Sequence, residues 1–164
     1  MPETTPPATP SDDAAADAAS NPADIRLAAM NLLARREHSR RELRSKLTRR
    51  FSDHAMVDEQ LLRLAGEHLQ SDVRFAQSYT RQRISRGYGP LRLQEELRER
   101  GVSEADVAAA MDEMEIDWCA VAMDVMRKKF GMRDAIDLKE KARRARFMQY
   151  RGFAAEHFQR LQKD

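Results

Sequence analysis

Moved along itself by 50 positions, the sequence meets its own pattern. Leu43 and Leu47 fall on Leu93 and Leu97, Arg50 falls on Arg100, and Val57, Leu61 and Leu64 fall on Val107, Met111 and Met114. The segments ahead of these align at a shift of 46, with Leu33-Ala-Arg on Tyr79-Thr-Arg. The four extra residues then lie in the loop holding Gly87 and Gly89, where an insertion costs least. A weaker third copy follows at a shift of 51. Arg100-Gly101-Val102 returns as Arg151-Gly152-Phe153, Val107 as Phe158 and Leu97 as Met148, although Leu93 meets Arg144. Copies of roughly 45–50 residues cannot each build a deep core. They imply a tandem array whose neighbours stack and share apolar surface, elongated and curved.

Each copy reads as three helices. In the first, Asn21-Pro22 supplies a cap and a first-turn proline, and Ile25, Ala28, Ala29, Leu32 and Leu33 follow at helical spacing. Ser39-Arg-Arg-Glu42 fits a capping box ahead of Leu43 and Leu47, and a third helix starts near Asp53 and buries Val57, Leu61 and Leu64. In the second copy, Tyr79–Gly101 joins a basic helix end, a Gly-Tyr-Gly-Pro break and a short charged helix. Gly87 and Gly89 can take positive φ there, and Pro90 suits the next first turn. Ser103-Glu-Ala-Asp106 opens the sixth helix. The third copy holds a helix near Trp118–Lys129, a stop at Phe130-Gly131 and a basic helix near Asp137–Tyr150. The expected fold is all-α, three helix-turn-helix-like units over 25–70, 71–117 and 118–164, after an acidic leader, 1–24, that is expected to be disordered.

Charge divides the copies. The leader carries five acidic groups and no Lys or Arg, and the three units carry +4, −3 and +6 in turn. A basic–acidic–basic layout differs from a nucleic-acid sleeve, which would be basic throughout, and suits a protein surface of mixed charge with nucleic acid nearby. No apolar run approaches membrane-spanning length, no signal-peptide pattern opens the chain, and one cysteine fits a reducing space. The expected compartment is the cytoplasm.

Chemistry-bearing patterns are sparse. His38, His54, His68 and His157 form no two-histidine metal motif, one cysteine cannot supply a zinc site, and no phosphate loop is present. Cys119 is expected to be a buried, inert thiol, the nine methionines core filling, and Glu95-Glu96 solvated ion-pairing residues. No catalytic residue, metal, cofactor or small-molecule substrate is expected. Two basic clusters are candidates for partner or DNA contact. The first includes Arg35, Arg36, Arg40 and Arg41; the second includes Arg127, Lys128, Lys129, Lys141, Arg143, Arg144 and Arg146. Arg81, Arg83 and Arg86 at the basic helix end join them. A solvated helix face remains the alternative for each cluster. No helix aims a set of Asn, Gln and Arg at base edges, so any DNA contact is expected to be independent of sequence.

Ala29-Met-Asn-Leu-Leu33 with Arg35-Arg36, Ser39-Arg-Arg-Glu-Leu43, Phe75-Ala76, Gly89-Pro90 and Leu97…Arg100-Gly101-Val102 together resemble the RecX family over roughly Ile25 to Leu161. The resemblance implies a regulator of the RecA recombinase that lodges in the helical groove of the RecA–DNA filament. There it would restrain strand exchange, ATP hydrolysis and repressor cleavage, without catalytic residues of its own. A plain DNA-binding protein that covers the substrate, single- or double-stranded, is the alternative.

Overall fold

The computed structural model describes residues 21–162, with side chains described as far as Arg160. The expectation of disorder for the leader lies, up to residue 20, outside the described residues. Its last residues are helical, because α1 (Pro22–Arg35) starts inside it, with the Asn21 side chain accepting from the Ala23 N–H. The order continues with α2 (Arg40–Thr48), α3 (His54–Gly66), α4 (Asp72–Ser85), α5 (Pro90–Glu99), α6 (Glu104–Met114), α7 (Trp118–Phe130), α8 (Leu138–Tyr150) and α9 (Ala155–Phe158), the last extended by a 3₁₀ turn to Gln162. The described residues contain no strand.

The helix starts obey local chemistry. Side chains of Ser39, Asp53, Ser71, Ser103, Asp117 and Asp137 each accept from a backbone N–H in the first turn that follows, and Ser39 with Glu42 completes a capping box. The glycines divide the work. Gly87, Gly101 and Gly152 have φ of +81°, +81° and +91° and end α4, α5 and α8. Gly89, expected to share positive φ, is instead extended at φ −95° and caps α5. What requires glycine there is space, since a Cβ would stand 2.6 Å from the Gly152 carbonyl carbon.

Three separate cores form. Unit 1 packs Ile25, Ala29, Leu43, Leu47, Phe51, Val57, Leu61 and Leu64; unit 2 packs Phe75, Ala76, Leu97, Val102, Val107 and Ala110; unit 3 packs Ala122, Val125, Met126, Met148, Phe153 and Phe158. The repeat register therefore holds at Leu43, Leu47, Leu93 and Leu97, all buried. Each core closes largely within its own unit, and the units meet through polar and backbone contacts beside some apolar surface, with Ile84 of unit 2 lining one cleft with Val125 and Phe147 of unit 3. Methionine fills less core than its number suggests. Met126 and Met148 are buried, whereas Met30, Met123 and Met132 are exposed. Cys119 is exposed too, on the outer side of the first turn of α7.

The joints follow one design. At the first, the start of α2 meets the end of α5: the Ser39 hydroxyl donates to the Arg100 carbonyl (2.9 Å) while accepting from the Glu42 N–H (3.1 Å). At the second, the start of α5 meets the end of α8, with Gly89 N–H donating to the Arg151 carbonyl (2.7 Å) and Leu91 N–H to the Gly152 carbonyl (3.0 Å). Helix ends leave unpaired N–H groups at the start and C=O groups at the finish, and here one helix's finish pairs with the next one's start. Helices α8, α5 and α2, of 13, 10 and 9 residues, thereby follow one another end to start.

The first joint also buries an ionisable group. His38 is 2% exposed, its Nδ1 is 3.0 Å from the Arg36 carbonyl, and its Nε2 is buried without a partner. Burial holds the imidazole below its ordinary pKa, against the opposing pull of the Arg36 carbonyl. The unfolded chain then binds the proton more readily than the folded one, so stability is complete above about pH 6.5 and falls as pH drops toward the lowered value. Urea unfolding between pH 7.5 and 5.5 should show this decline, and His38→Asn should flatten it. An equal slope in the variant would assign the effect to other groups.

Candidate functional site

Most of the basic residues singled out in the sequence lie near the two joints or on α8. Arg35, Arg36, Arg40 and Arg41 surround the first joint with exposed side chains. Arg36 pairs with Glu42 (3.2 Å), Arg40 offers its backbone N–H to Asp72 (2.9 Å), and the stem of Arg41 lies on Gly101, where a Cβ would come within 2.7 Å of its own. These arginines border the joint and keep charge in solvent.

At the second joint a cleft of about 220 Å³ opens between units 2 and 3. Arg86, Lys128, Lys129 and Arg151 line it, over a floor that includes Ile84, Val125 and Phe147. The fold thus brings Arg86 of the middle unit together with Lys128 and Lys129 of the last. One carboxylate intrudes, because Asp124 holds Lys128 at 2.7 Å. Arg81 and Arg127 stand exposed on α4 and α7.

Arg83 belongs to a different set. Its guanidinium lies 3.7 Å from the centre of the Tyr88 ring, and Arg92 and Arg151 each lie 4.8 Å from it. Glu96 is the hub beneath. It pairs with Arg83, accepts from Arg92 Nε (3.1 Å) and accepts from the Tyr79 hydroxyl (2.8 Å). Burial pushes the Glu96 carboxyl up, but the three hydrogen bonds outweigh it and hold the group below the usual carboxylate range. Glu96 is therefore not the solvated ion-pairing residue expected beside Glu95. The network binds α4, α5 and, through Arg151, unit 3, with Arg151 Nη1 donating to the Arg86 carbonyl (2.9 Å). The sequence pattern assigns Tyr88 no role and places Glu96 in solvent; the local signal is an aromatic between two glycines ahead of a proline.

Arg144 departs furthest from expectation. Grouped with Arg143 and Arg146 on one basic face, it is only 9% exposed, while its two companions face solvent. It occupies the repeat position held by Leu93, and its guanidinium reaches past the core edge. Nε donates to Glu140 (3.0 Å) and Nη1 to the Arg133 carbonyl (2.9 Å). Hydrogen bonds from Arg143 first, then Arg144, hold the Glu140 carboxyl below its ordinary range. Lys141 is half-buried on the same helix.

Among the described residues no three His, Cys, Asp or Glu side chains converge as a metal-ligand set. No described helix is long and apolar enough to cross a membrane. What the surface offers is a line of joints with basic borders at both ends and an acidic unit between.

The comparisons with known proteins match this arrangement unit by unit. The family models for the first, second and third three-helix domains of RecX match residues 26–59, 71–111 and 115–161. Regulatory protein RecX of Halorhodospira halophila (strain DSM 244 / SL1) is 45% identical over 132 residues, covering 80% of this chain and 82% of the relative. Regulatory protein RecX of Pseudomonas fluorescens (strain SBW25) is 44% identical over 137 residues, 84% of this chain and 88% of the relative. Two solved structures share the fold. RecX from Lactobacillus salivarius superposes with a TM-score of 0.69 at 16% identity, over 84% of this chain and 92% of that one. A second regulatory protein RecX gives 0.65 at 19%, over 84% and 71%. With all three units matched in order, and relatives above 40% identity along most of its length, the chain belongs to the RecX family of regulatory proteins.

Proposed function

We propose that this protein is a non-enzymatic, cytoplasmic regulator that binds the RecA–DNA filament in its helical groove and inhibits the recombinase, ATPase and co-protease activities, acting in recombinational repair and the SOS response without cofactor, membrane or small-molecule substrate. The observation that carries the reading is the end-to-start succession of α8, α5 and α2 across the two joints. A filament groove presents the same subunit surface again and again, and three similar units held in fixed register can meet several copies at once. Contacts spread along one body raise avidity beyond any single contact. The charge order fits as well: basic end units meet acidic subunit surfaces or DNA phosphate, and the acidic middle unit meets basic loops that would otherwise receive a second DNA.

A DNA-covering protein is the second reading, favoured by the basic cleft at Arg86, Lys128, Lys129 and Arg151. One titration separates the two. Added to a preassembled filament at fixed salt with excess bare DNA, the protein should suppress ATP hydrolysis at concentrations far below the DNA sites present. Inhibition that tracks DNA occupancy and disappears under excess DNA would award the function to substrate covering.

A further inference from the structure

The segment between α7 and α8, together with the first residue of α8, exposes three large apolar side chains within seven residues: Met132 at 78%, Ile136 at 96% and Leu138 at 84%. Single exposed apolar residues are ordinary on protein surfaces; a cluster this dense, with this much side chain in water, is not. The segment is also held in shape. Phe130 at its base meets Phe147 edge to face at 5.3 Å, Asp137 caps α8 by accepting from the Glu140 N–H (2.8 Å), and Arg144 holds the Arg133 carbonyl at 2.9 Å. The guanidiniums of Arg144 and Arg143 lie 5.1 Å and 5.7 Å from the Phe130 ring centre. Arg144 itself stands where the middle repeat has a core leucine. The one charged residue at a leucine position of the repeat is thus the residue that shapes the exposed segment.

The surroundings specify what can cover the tip. Residues 127–146 carry nine basic side chains against the three carboxylates of Asp134, Asp137 and Glu140, a net of +6. An apolar tip in such a setting is complementary to an apolar pocket with an acidic rim. Unit 2 of this chain has a groove of that kind, where Leu91, Val107 and Met111 lie among Glu95, Glu104 and Asp112. The 13 residues of α8 set the tip about 20 Å from the joint beside that groove, so the tip cannot fill it within one molecule.

We propose that Met132, Ile136 and Leu138, positioned by Arg144, form the anchor by which unit 3 docks into an acidic-rimmed apolar pocket on a recombinase subunit of the filament. This rests on the filament-binding reading above and adds to it a defined contact. Buried apolar anchors ringed by charge carry most of the affinity in protein interfaces, so the tip supplies strength while the surrounding cations supply approach and register.

The test compares four full-length proteins: wild type, the double variant Ile136→Ser/Leu138→Ser, Arg144→Leu, and Arg63→Ala, an exposed charge change on α3. Each is titrated against RecA assembled on single-stranded DNA with a non-hydrolysable nucleotide, against the same DNA bare, and followed in thermal melting. The double variant should lose roughly 30-fold or more in filament affinity, with bare-DNA affinity and melting unchanged because both side chains lie in water. Arg144→Leu restores the repeat residue; its melting should hold or rise while filament affinity falls. A residue that served only the fold would move melting as well. Arg63→Ala should differ little from wild type. Wild-type binding with an undiminished double variant would overturn the anchor and leave the filament reading standing, whereas a wild type that ignores the filament would remove both. Two other occupants are visible in the same proteins. Loss of concentration-dependent self-association in sedimentation, or of binding to anionic phosphatidylglycerol vesicles, in place of lost filament affinity would assign the tip to a second copy or to lipid and overturn the proposal.

Discussion

Leu97→Ala should cost roughly 2–5 kcal/mol and unfasten the array on both sides of the middle unit. Leu97 is fully buried in the core of unit 2, beside Phe75, Val102 and Val107. Units of this size have only a few kcal/mol of stability to lose, at about 0.05–0.15 kcal/mol per residue. The reach of the effect comes from topology. Helix α5 meets α8 at its start and α2 at its end, so loosening α5 releases Ser39 from the Arg100 carbonyl and Gly89 from the Arg151 carbonyl together. Hydrogen exchange should show lost protection through α4–α6 and at the first turn of α2. Leu43→Ala, at the equivalent place in unit 1, should cost a similar amount but strip protection from α1–α3 alone. Because the cores are separate, each variant should unfold in more than one step. A single cooperative transition for Leu97→Ala, with uniform loss of protection, would mean that the units share stability in a way the three closed cores do not provide.

That contrast also marks how far local pattern reaches. The helix starts at Asn21, Ser39, Asp53, Ser103 and Asp137 were legible because each depends on residues within one turn of itself. The leucine pairs were legible because a buried helix face imposes its period on the chain. Tyr88, Glu96 and Arg144 were not. Arg151, 63 positions after Tyr88, reaches its ring, and Arg144 finds the Arg133 carbonyl across an irregular segment that no periodicity describes. A basic run looks the same whether its arginines face water, as Arg143 and Arg146 do, or take a core position, as Arg144 does. Gly89 misled in the same way. A glycine in a helix break suggests positive φ, yet this one, ahead of Pro90, keeps an extended backbone and is small because another unit's backbone lies against it. Cys119 was assigned to the interior by its apolar neighbours, but its place in the first turn of α7 turns it outward. The candidate site had the same limit: composition found the cations, and only the fold gathered Arg86 with Lys128 and Lys129.

The rigidity of the second joint can be tested at one atom. Gly152 combines φ +91° with a backbone contact, since a Cβ there would stand 2.6 Å from the Arg92 backbone nitrogen. Gly152→Ala should therefore incur about 1–2 kcal/mol for the left-handed conformation and about 1–3 kcal/mol for overpacking, roughly 2–5 kcal/mol together. Backbone cannot swing aside as a flexible side chain can, so the strain should be relieved by units 2 and 3 moving apart. That motion breaks the Leu91–Gly152 and Gly89–Arg151 hydrogen bonds and withdraws Arg151 from Tyr88. Hydrogen exchange should rise at the first turn of α5, and small-angle scattering should show a broader spread of distances. On the proposed filament-binding reading, filament affinity should fall even though all three cores stay packed, because a hinged body gives up the fixed register on which that reading rests. Gly66→Ala is the control. Gly66 ends α3 with open space around its Cα and no positive φ, so alanine there should be neutral or stabilising by about 0.4–1 kcal/mol. If Gly152→Ala matched Gly66→Ala in stability, exchange and filament affinity, units 2 and 3 would already move freely, and the end-to-start succession of helices would not be what the filament recognises.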